Sequence, residues 1–246
     1  MNEQLYQSIQ IKNQANEFLA QTRLIELLSQ YGQVIINGSY ALDLMVWNDI
    51  DLNLILPPHL NPVNVHIQIA RELLDSPLVH AVKLINFTKA KNRTDLPEGV
   101  YSCITYRIPN EPTADPITDL DKQSKKAFII PEDNINAIHT SLYPTPNSPS
   151  TLKARSIAST TEWKVDLWTL SENDQAATLK FFNLIKSNLN EELKLLILKL
   201  KFLLKGNSKR VPQHGSYLIY KAIFEFNLTE EKNIISFLKT QGYFIN

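Results

Sequence analysis

The chain has 246 residues, room for one large domain or two small ones with a sizeable core. Its 25 basic and 25 acidic residues cancel, so bulk charge offers nothing to a long nucleic acid. A single cysteine, Cys103, excludes an internal disulfide, and no apolar run approaches the roughly 20 residues of a membrane span. Hydrophobic content of 43% against 20% charged is an ordinary globular balance. The first ten residues, MNEQLYQSIQ, are polar and unlike a secretory leader. The expectation is a soluble, cytoplasmic protein.

In chain order, Leu5, Ile9, Phe18, Leu19, Leu24, Ile25 and Leu28 recur at helical spacing, predicting one amphipathic helix over 4–29. Tyr31-Gly32 ends it. QVIIN reads as a short strand running into Gly38-Ser39, and SYALDLMV as a short helix. DIDLNLIL is a strand with alternating faces, stopped by Pro57-Pro58. A helix over 61–75 follows, then strands in LVHAVKLINF and VYSCITYRI.

From 109 to 150 the texture changes. Seven of the 13 prolines fall there, spaced by polar residues. The reading is a long insertion at about 109–161, a cover or arm joining two strands that neighbour in the sheet, with one helix near 119–128. EWKVDLWTL is the last strand. Helices are predicted over roughly 172–188, 190–205, 215–226 and 229–241. Strands mixed with helices, then helices alone, predict an α/β part over 1–170 and a helical lobe over 171–246. The lobe carries 11 basic against 7 acidic residues. That surplus suits a phosphate-holding lobe, and equally suits ordinary solvated helix faces.

The chemistry concentrates in NGSYALDLMVWNDIDLNLIL, residues 37–56. Residues two apart in a strand share a face, so Asp49, Asp51 and Asn53 point one way while Ile50, Leu52 and Leu54 enter the core. Adjacent carboxylates repel unless a cation lies between them, and hard divalent ions take carboxylate oxygens. Gly38 and Ser39 lie between a strand and a helix, where backbone N–H groups can meet a phosphate. Asp166 in EWKVDLW is a third carboxylate in mid-strand, with Lys164 on its face. Read alone, Asp166 is also a possible structural ion partner of Lys164. Lys164 itself reads either as a phosphate ligand or as a solvated strand residue.

Gly-Ser, a spacer, Asp-x-Asp inside a strand and a later lone Asp on a strand resemble the signature of the DNA polymerase β-like nucleotidyltransferase superfamily. The pattern covers about 33–56 and 162–169. The helical tail is loosely similar to the lobe of aminoglycoside and lincosamide nucleotidyltransferases and related small bacterial proteins. The resemblance implies a mixed-sheet α/β (α+β) nucleotidyltransferase domain followed by a helical bundle. It implies a Mg²⁺- or Mn²⁺-dependent enzyme with an NTP as co-substrate, moving an NMP group to a hydroxyl of a small molecule or protein and releasing pyrophosphate. Gly38, Ser39 and Lys164 would meet nucleotide phosphate. Asp49, Asp51 and Asp166 would be the metal-binding and catalytic acids, holding two metal ions. The sequence departs from many relatives at Asp43 and Leu44 and in having Asn48 before the first acid, which leaves the substrate open.

Other readings stand beside this one. Asp-x-Asp also marks metal-dependent glycosyltransferases, but there the motif ends a strand and here it begins one. A non-catalytic nucleotide-binding protein, or a toxin-type relative acting on RNA or a protein partner, is the alternative. Arg210 and His214 are candidates to reach a triphosphate, with a plain surface loop the duller reading. Tyr217 and Tyr220 read as lobe packing. Lys194, Lys201 and Lys205 share a helix face expected to meet solvent.

Overall fold

The computed structural model describes residues 2–89, 97–110, 159–206, 215–243 and 245. The predicted helix near 119–128 and the candidates Arg210 and His214 lie outside them. The chain divides into two compact units, Met1–Ile108 with Glu162–Asn246, and Pro109–Thr161. In the second unit the described ends are tied together: the Asn110 amide N–H donates to Ser159 O at 3.0 Å, and Thr161 Oγ1 donates to Asn110 Oδ1 at 2.5 Å.

The first unit opens with α1, Glu3–Thr22, capped by the Asn2 side chain on the Gln4 N–H. The single helix expected over 4–29 is broken: Arg23 adopts a left-handed backbone (φ 50°), and α2, Leu24–Ser29, starts after it. The break lets Phe18 and Leu19 of α1 and Leu24 and Leu28 of α2 all reach the interior. β1, Gln33–Asn37, leads into the one-turn α3, Gly38–Ala41. β2 is Asp49–Ile55. α4, Pro62–Leu74, starts on an Asn61 cap with proline in its first turn and buries Val65, His66, Ile69 and Leu73, a helical stripe. β3 is Val79–Asn86, β4 Gly99–Pro109 and β5 Thr160–Leu170. The helices α5, Glu172–Asn188; α6, Glu191–Gly206; α7, Gly215–Phe224; and α8, Glu231–Thr240, complete it.

The sheet is mixed, in the order β1-β2-β5-β4-β3. β1 and β2 are antiparallel, β2 and β5 parallel, and β3 and β4 antiparallel. β4 and β5, joined through 109–161, are neighbours. Alternation divides the faces. Ile50, Leu52, Leu54, Ile104, Tyr106, Trp163, Val165 and Leu167 pack with Phe18, Leu24, Leu28 and the buried stripe of α4 in one core. A second core joins α5–α8 through Ile185, Ile197, Leu198, Leu204, Ile219, Ile223, Ile234 and Leu238. Leu42, Leu44 and Val46, from the segment between α3 and β2, belong to this second core. The segment just ahead of the Asp-x-Asp strand is therefore clamped by the helices, where the sequence predicted an eight-residue helix. Each buried Leu or Ile contributes roughly 1.5–3 kcal/mol of transfer free energy.

One polar group is built into the first core. His66 is fully buried, with Nδ1 2.7 Å from Ser102 Oγ and Nε2 3.0 Å from Thr169 Oγ1. It straps α4 to β4 and β5 at once. Among the described residues no helix is long and apolar enough to cross a membrane.

Candidate active site

The register of β2 on β5 assembles the site. Asp49 lies opposite Lys164, and Asp51 opposite Asp166. Both strands turn these residues to the same face because Ile50, Leu52, Val165 and Leu167 fill the other. Asp49, Asp51 and Asp166 each present an oxygen within 4.8 Å of the others. Asn48 helps to hold the strand ends together: its carbonyl accepts the Lys164 N–H at 2.9 Å, and its side-chain amide donates to Glu162 O at 3.2 Å.

Lys164 lies among the acids. Its Nζ is 2.9 Å from Asp166 Oδ2 and 3.3 Å from Asp49 Oδ2. Burial alone would lower its pKa, but Asp49 and Asp166 together hold it above the ordinary lysine range. The other Asp166 oxygen, Oδ1, accepts the Tyr101 O–H at 2.6 Å. Burial, then this bond, pushes the Tyr101 phenol up. Burial likewise pushes Asp49 and Asp51 up, and the neighbouring carboxylates add to it.

Asp49 Oδ1 is buried and has no hydrogen-bond partner. Asn37, opposite Asp51 across β1 and β2, is buried with both side-chain polar atoms unpartnered. Orphaned buried oxygens and three convergent carboxylates are the donor set of a hard divalent cation such as Mg²⁺ or Mn²⁺. The residues present fit such an ion.

Gly38 and Ser39 meet the acids from α3. Gly38 has φ 63°, and a Cβ there would lie 1.9 Å from Asp51 Oδ2. The glycine is thus required by the seat of Asp51. Ser39 Oγ accepts the Lys201 ammonium at 2.6 Å and lies 3.4 Å from Tyr220 Oη.

Lys201 corrects the reading of its helix face as solvated. It is fully buried, and its Nζ also donates to Leu44 O at 2.5 Å. Burial lowers its pKa to about 7, against the pull of Asp51 and Asp49. Lys205 is exposed, as expected, and its Nζ donates to Val46 O at 2.7 Å. Lys194 pairs with Glu191 at 2.9 Å. The signal was present: Lys201 sits on the stripe of Ile197, Leu198 and Leu204 in an otherwise apolar run. Tyr220 packs in the lobe as expected, with its hydroxyl at Ser39, while Tyr217 is half exposed against Phe181.

Sequence reasoning also missed an aromatic group on the carboxylate face. Tyr101 and Trp168 have ring centroids 4.8 Å apart, and Phe87 lies 5.5 Å from Trp168. Trp168 shares its face with Asp166 at two residues' distance, which alternation could have shown. Tyr101 comes from β4, whose place beside β5 the sequence did give; its register there, which sets Tyr101 against Asp166, was not legible.

No protein-family model matches the sequence, and no curated protein does. Among solved structures, the chain is similar to the Cid1 poly(U) polymerase bound to MgATP, at 12% identity and a TM-score of 0.45, covering 93% of this chain and 51% of that one. A cytoplasmic RNA terminal U-transferase gives 15% and 0.46, covering 93% and 55%. The GLD-2/RNP-8 complex gives 13% and 0.40, covering 91% and 60%. The chain spans between half and three fifths of these proteins' length. None of the three is an aminoglycoside or lincosamide nucleotidyltransferase. At such identities and TM-scores below 0.5, these likenesses assign neither activity nor substrate to this chain.

Proposed function

We propose that this chain is a divalent-metal-dependent nucleotidyltransferase, moving a nucleoside monophosphate from an NTP to an acceptor hydroxyl with release of pyrophosphate. One observation carries the reading. Asp49, Asp51 and Asp166 converge from two parallel strands, with a buried Asp49 oxygen left unpartnered. Asp49 and Asp51, with Asp166 beside them on β5, would form the seat of Mg²⁺ or Mn²⁺. The ion, when bound, neutralises phosphate charge and polarises the phosphorus under attack.

The chain's own residues supply the rest. Gly38 leaves Asp51 its place, and Ser39, backed by the buried Lys201 ammonium, offers a donor-rich edge to the phosphates. Asp166 is held at both oxygens, by Tyr101 and by Lys164, so its carboxylate is fixed in orientation. It takes the proton of the acceptor hydroxyl. That oxygen forms the new bond to the α-phosphorus as the bond to the bridging oxygen breaks, and pyrophosphate carries the charge away. The sheet face aligns acceptor and nucleotide, which is where most of the rate gain arises.

The acceptor we favour is a hydroxyl of a small molecule or a protein, because 25 acidic residues balance 25 basic ones. The test is incubation with each labelled NTP, Mg²⁺ and an acceptor panel of aminoglycosides, a lincosamide, a protein extract and an RNA oligonucleotide. Pyrophosphate release with a labelled product supports transfer, and the labelled acceptor identifies its class. RNA labelling alone would displace the acceptor proposed here. Nucleotide binding without any product would leave a binding protein instead.

A further inference from the structure

The sequence resemblance implies two metal ions at the three acids. Lys164 argues for a different arrangement, and the argument rests on the nucleotidyl-transfer reading. The β2–β5 register puts Lys164 directly opposite Asp49, and strand alternation puts it on the face of Asp166. Its ammonium bridges the carboxylates of the two strands, at 2.9 Å to Asp166 and 3.3 Å to Asp49. A second metal ion held by Asp49 and Asp166 would have to displace this ammonium.

The remaining oxygens divide accordingly. Asp166 has both oxygens engaged, Oδ2 by Lys164 and Oδ1 by Tyr101. The unpartnered buried oxygen belongs to Asp49, beside Asp51 on one strand. Free ligand capacity is therefore concentrated on the Asp49–Asp51 side.

We propose that Lys164 is a built-in replacement for the second metal ion, so that the site takes one divalent cation, on Asp49 and Asp51, with the Lys164 ammonium fixed between Asp49 and Asp166. A lysine is suited to this. It is a compact point charge with three donors, set between carboxylates on both sides. It makes the site independent of a second, weakly held ion. In this arrangement Lys164 faces the acids, away from the phosphate-ligand role its sequence position suggested.

The experiment counts metal ions. Mn²⁺ is titrated into the full chain with α,β-methylene ATP or α,β-methylene UTP, which cannot be transferred, and bound ions are counted by electron paramagnetic resonance. The wild type is expected to bind one Mn²⁺ per chain with no exchange-coupled signal. Lys164→Met is expected to bind two, with exchange coupling from ions roughly 3.5–4 Å apart, the spacing of two-metal sites. Lys164→Gln serves as a second neutral variant, and Lys164→Arg should keep the count at one. Two coupled Mn²⁺ in the wild type would overturn the proposal, as would a count of one in both folded neutral variants. If the wild type binds no Mn²⁺ with either nucleotide, the nucleotidyl-transfer reading falls and this proposal falls with it.

Discussion

Asp51 Oδ2 occupies the space that a Cβ on Gly38 would take, at 1.9 Å. The glycine and the central acid of the site are thus one steric unit. Gly38 also sits at φ 63°, a backbone that costs other residues about 1 kcal/mol or more. Gly38→Ala should push the Asp51 carboxylate from its place and weaken Mg²⁺–NTP binding at least tenfold, with a moderate drop in melting temperature. Calorimetric titration and a thermal melt measure both. Unchanged affinity would show that Asp51 does not need this seat.

The part-buried acids predict an unusual pH dependence for the metal-free protein. Burial raises Asp51 and Asp49 above their unfolded values. A raised carboxylate favours the protonated form in the fold, so stability is lost as pH rises through the folded value. The stability of metal-free Asp51→Asn relative to wild type should therefore rise between about pH 4 and 7, a difference in which the opposite slopes of His66 and Lys201 largely cancel. Asp51→Asn should be more stable than wild type at pH 8 and should no longer gain stability from Mg²⁺. A melting temperature for Asp51→Asn below wild type at pH 8 would contradict the raised pKa.

His66 gives the opposite sign in an overlapping window. Burial lowers its pKa from 6.5 to about 4, so the fold holds it neutral. The unfolded chain binds the proton first, and stability is lost as pH falls between about 6.5 and 4, at up to about 1.4 kcal/mol per pH unit. His66→Gln removes that titration. The stability difference between wild type and His66→Gln should shrink across this window and be flat above pH 7. Urea denaturation at a series of pH values measures it. A constant difference would mean that His66 titrates normally.

Tyr101→Phe isolates one bond. The ring stays against Trp168 and Phe87, but Asp166 Oδ1 loses its donor at 2.6 Å. The expected result is a stability loss of about 1 kcal/mol and roughly a tenfold fall in kcat with KM little changed. A rise in KM alone would place Tyr101 in nucleotide binding instead.

What the sequence disclosed, and what it hid, follows from the range of the interactions. The alternation of Asp49, Asp51 and Asn53 against Ile50, Leu52 and Leu54 is local, and so was legible. The same holds for α4, where Asn61 and Pro62 mark the start, and for the paired faces of β5. Arg23 was not legible, because a left-handed arginine is set by packing on both sides of it. Nor was the reason for Gly38: its small size suggested a phosphate, and its neighbour is Asp51. Lys201 was hidden by its charge. Its helical stripe is apolar, and only the tertiary placement of Ser39 and the Leu44 carbonyl makes burial of an ammonium tolerable.

The sharpest discrimination between enzyme and binding protein lies at Asp166. Asp49 and Asp51 sit on one strand and keep the unpartnered oxygen, so they suffice to hold a metal–triphosphate complex. Asp166 comes from the neighbouring strand, with its carboxylate fixed by Tyr101 and Lys164. Its distinctive contribution is to the chemical step, where the acceptor oxygen must lose its proton. Asp166→Asn is nearly isosteric, and Val165 and Leu167, both fully buried, hold the strand in place. The expected outcome is nucleotide affinity within a few-fold of wild type and a fall in kcat of about 10²–10⁴. Single-turnover measurement of labelled product, beside calorimetric binding of the nucleotide, separates the two. If Asp166→Asn instead fails to fold, Asp166 is a structural partner of Lys164 and Tyr101. If it folds, binds and transfers as wild type does, the proton goes to another group, and the assignment of Asp166 is wrong.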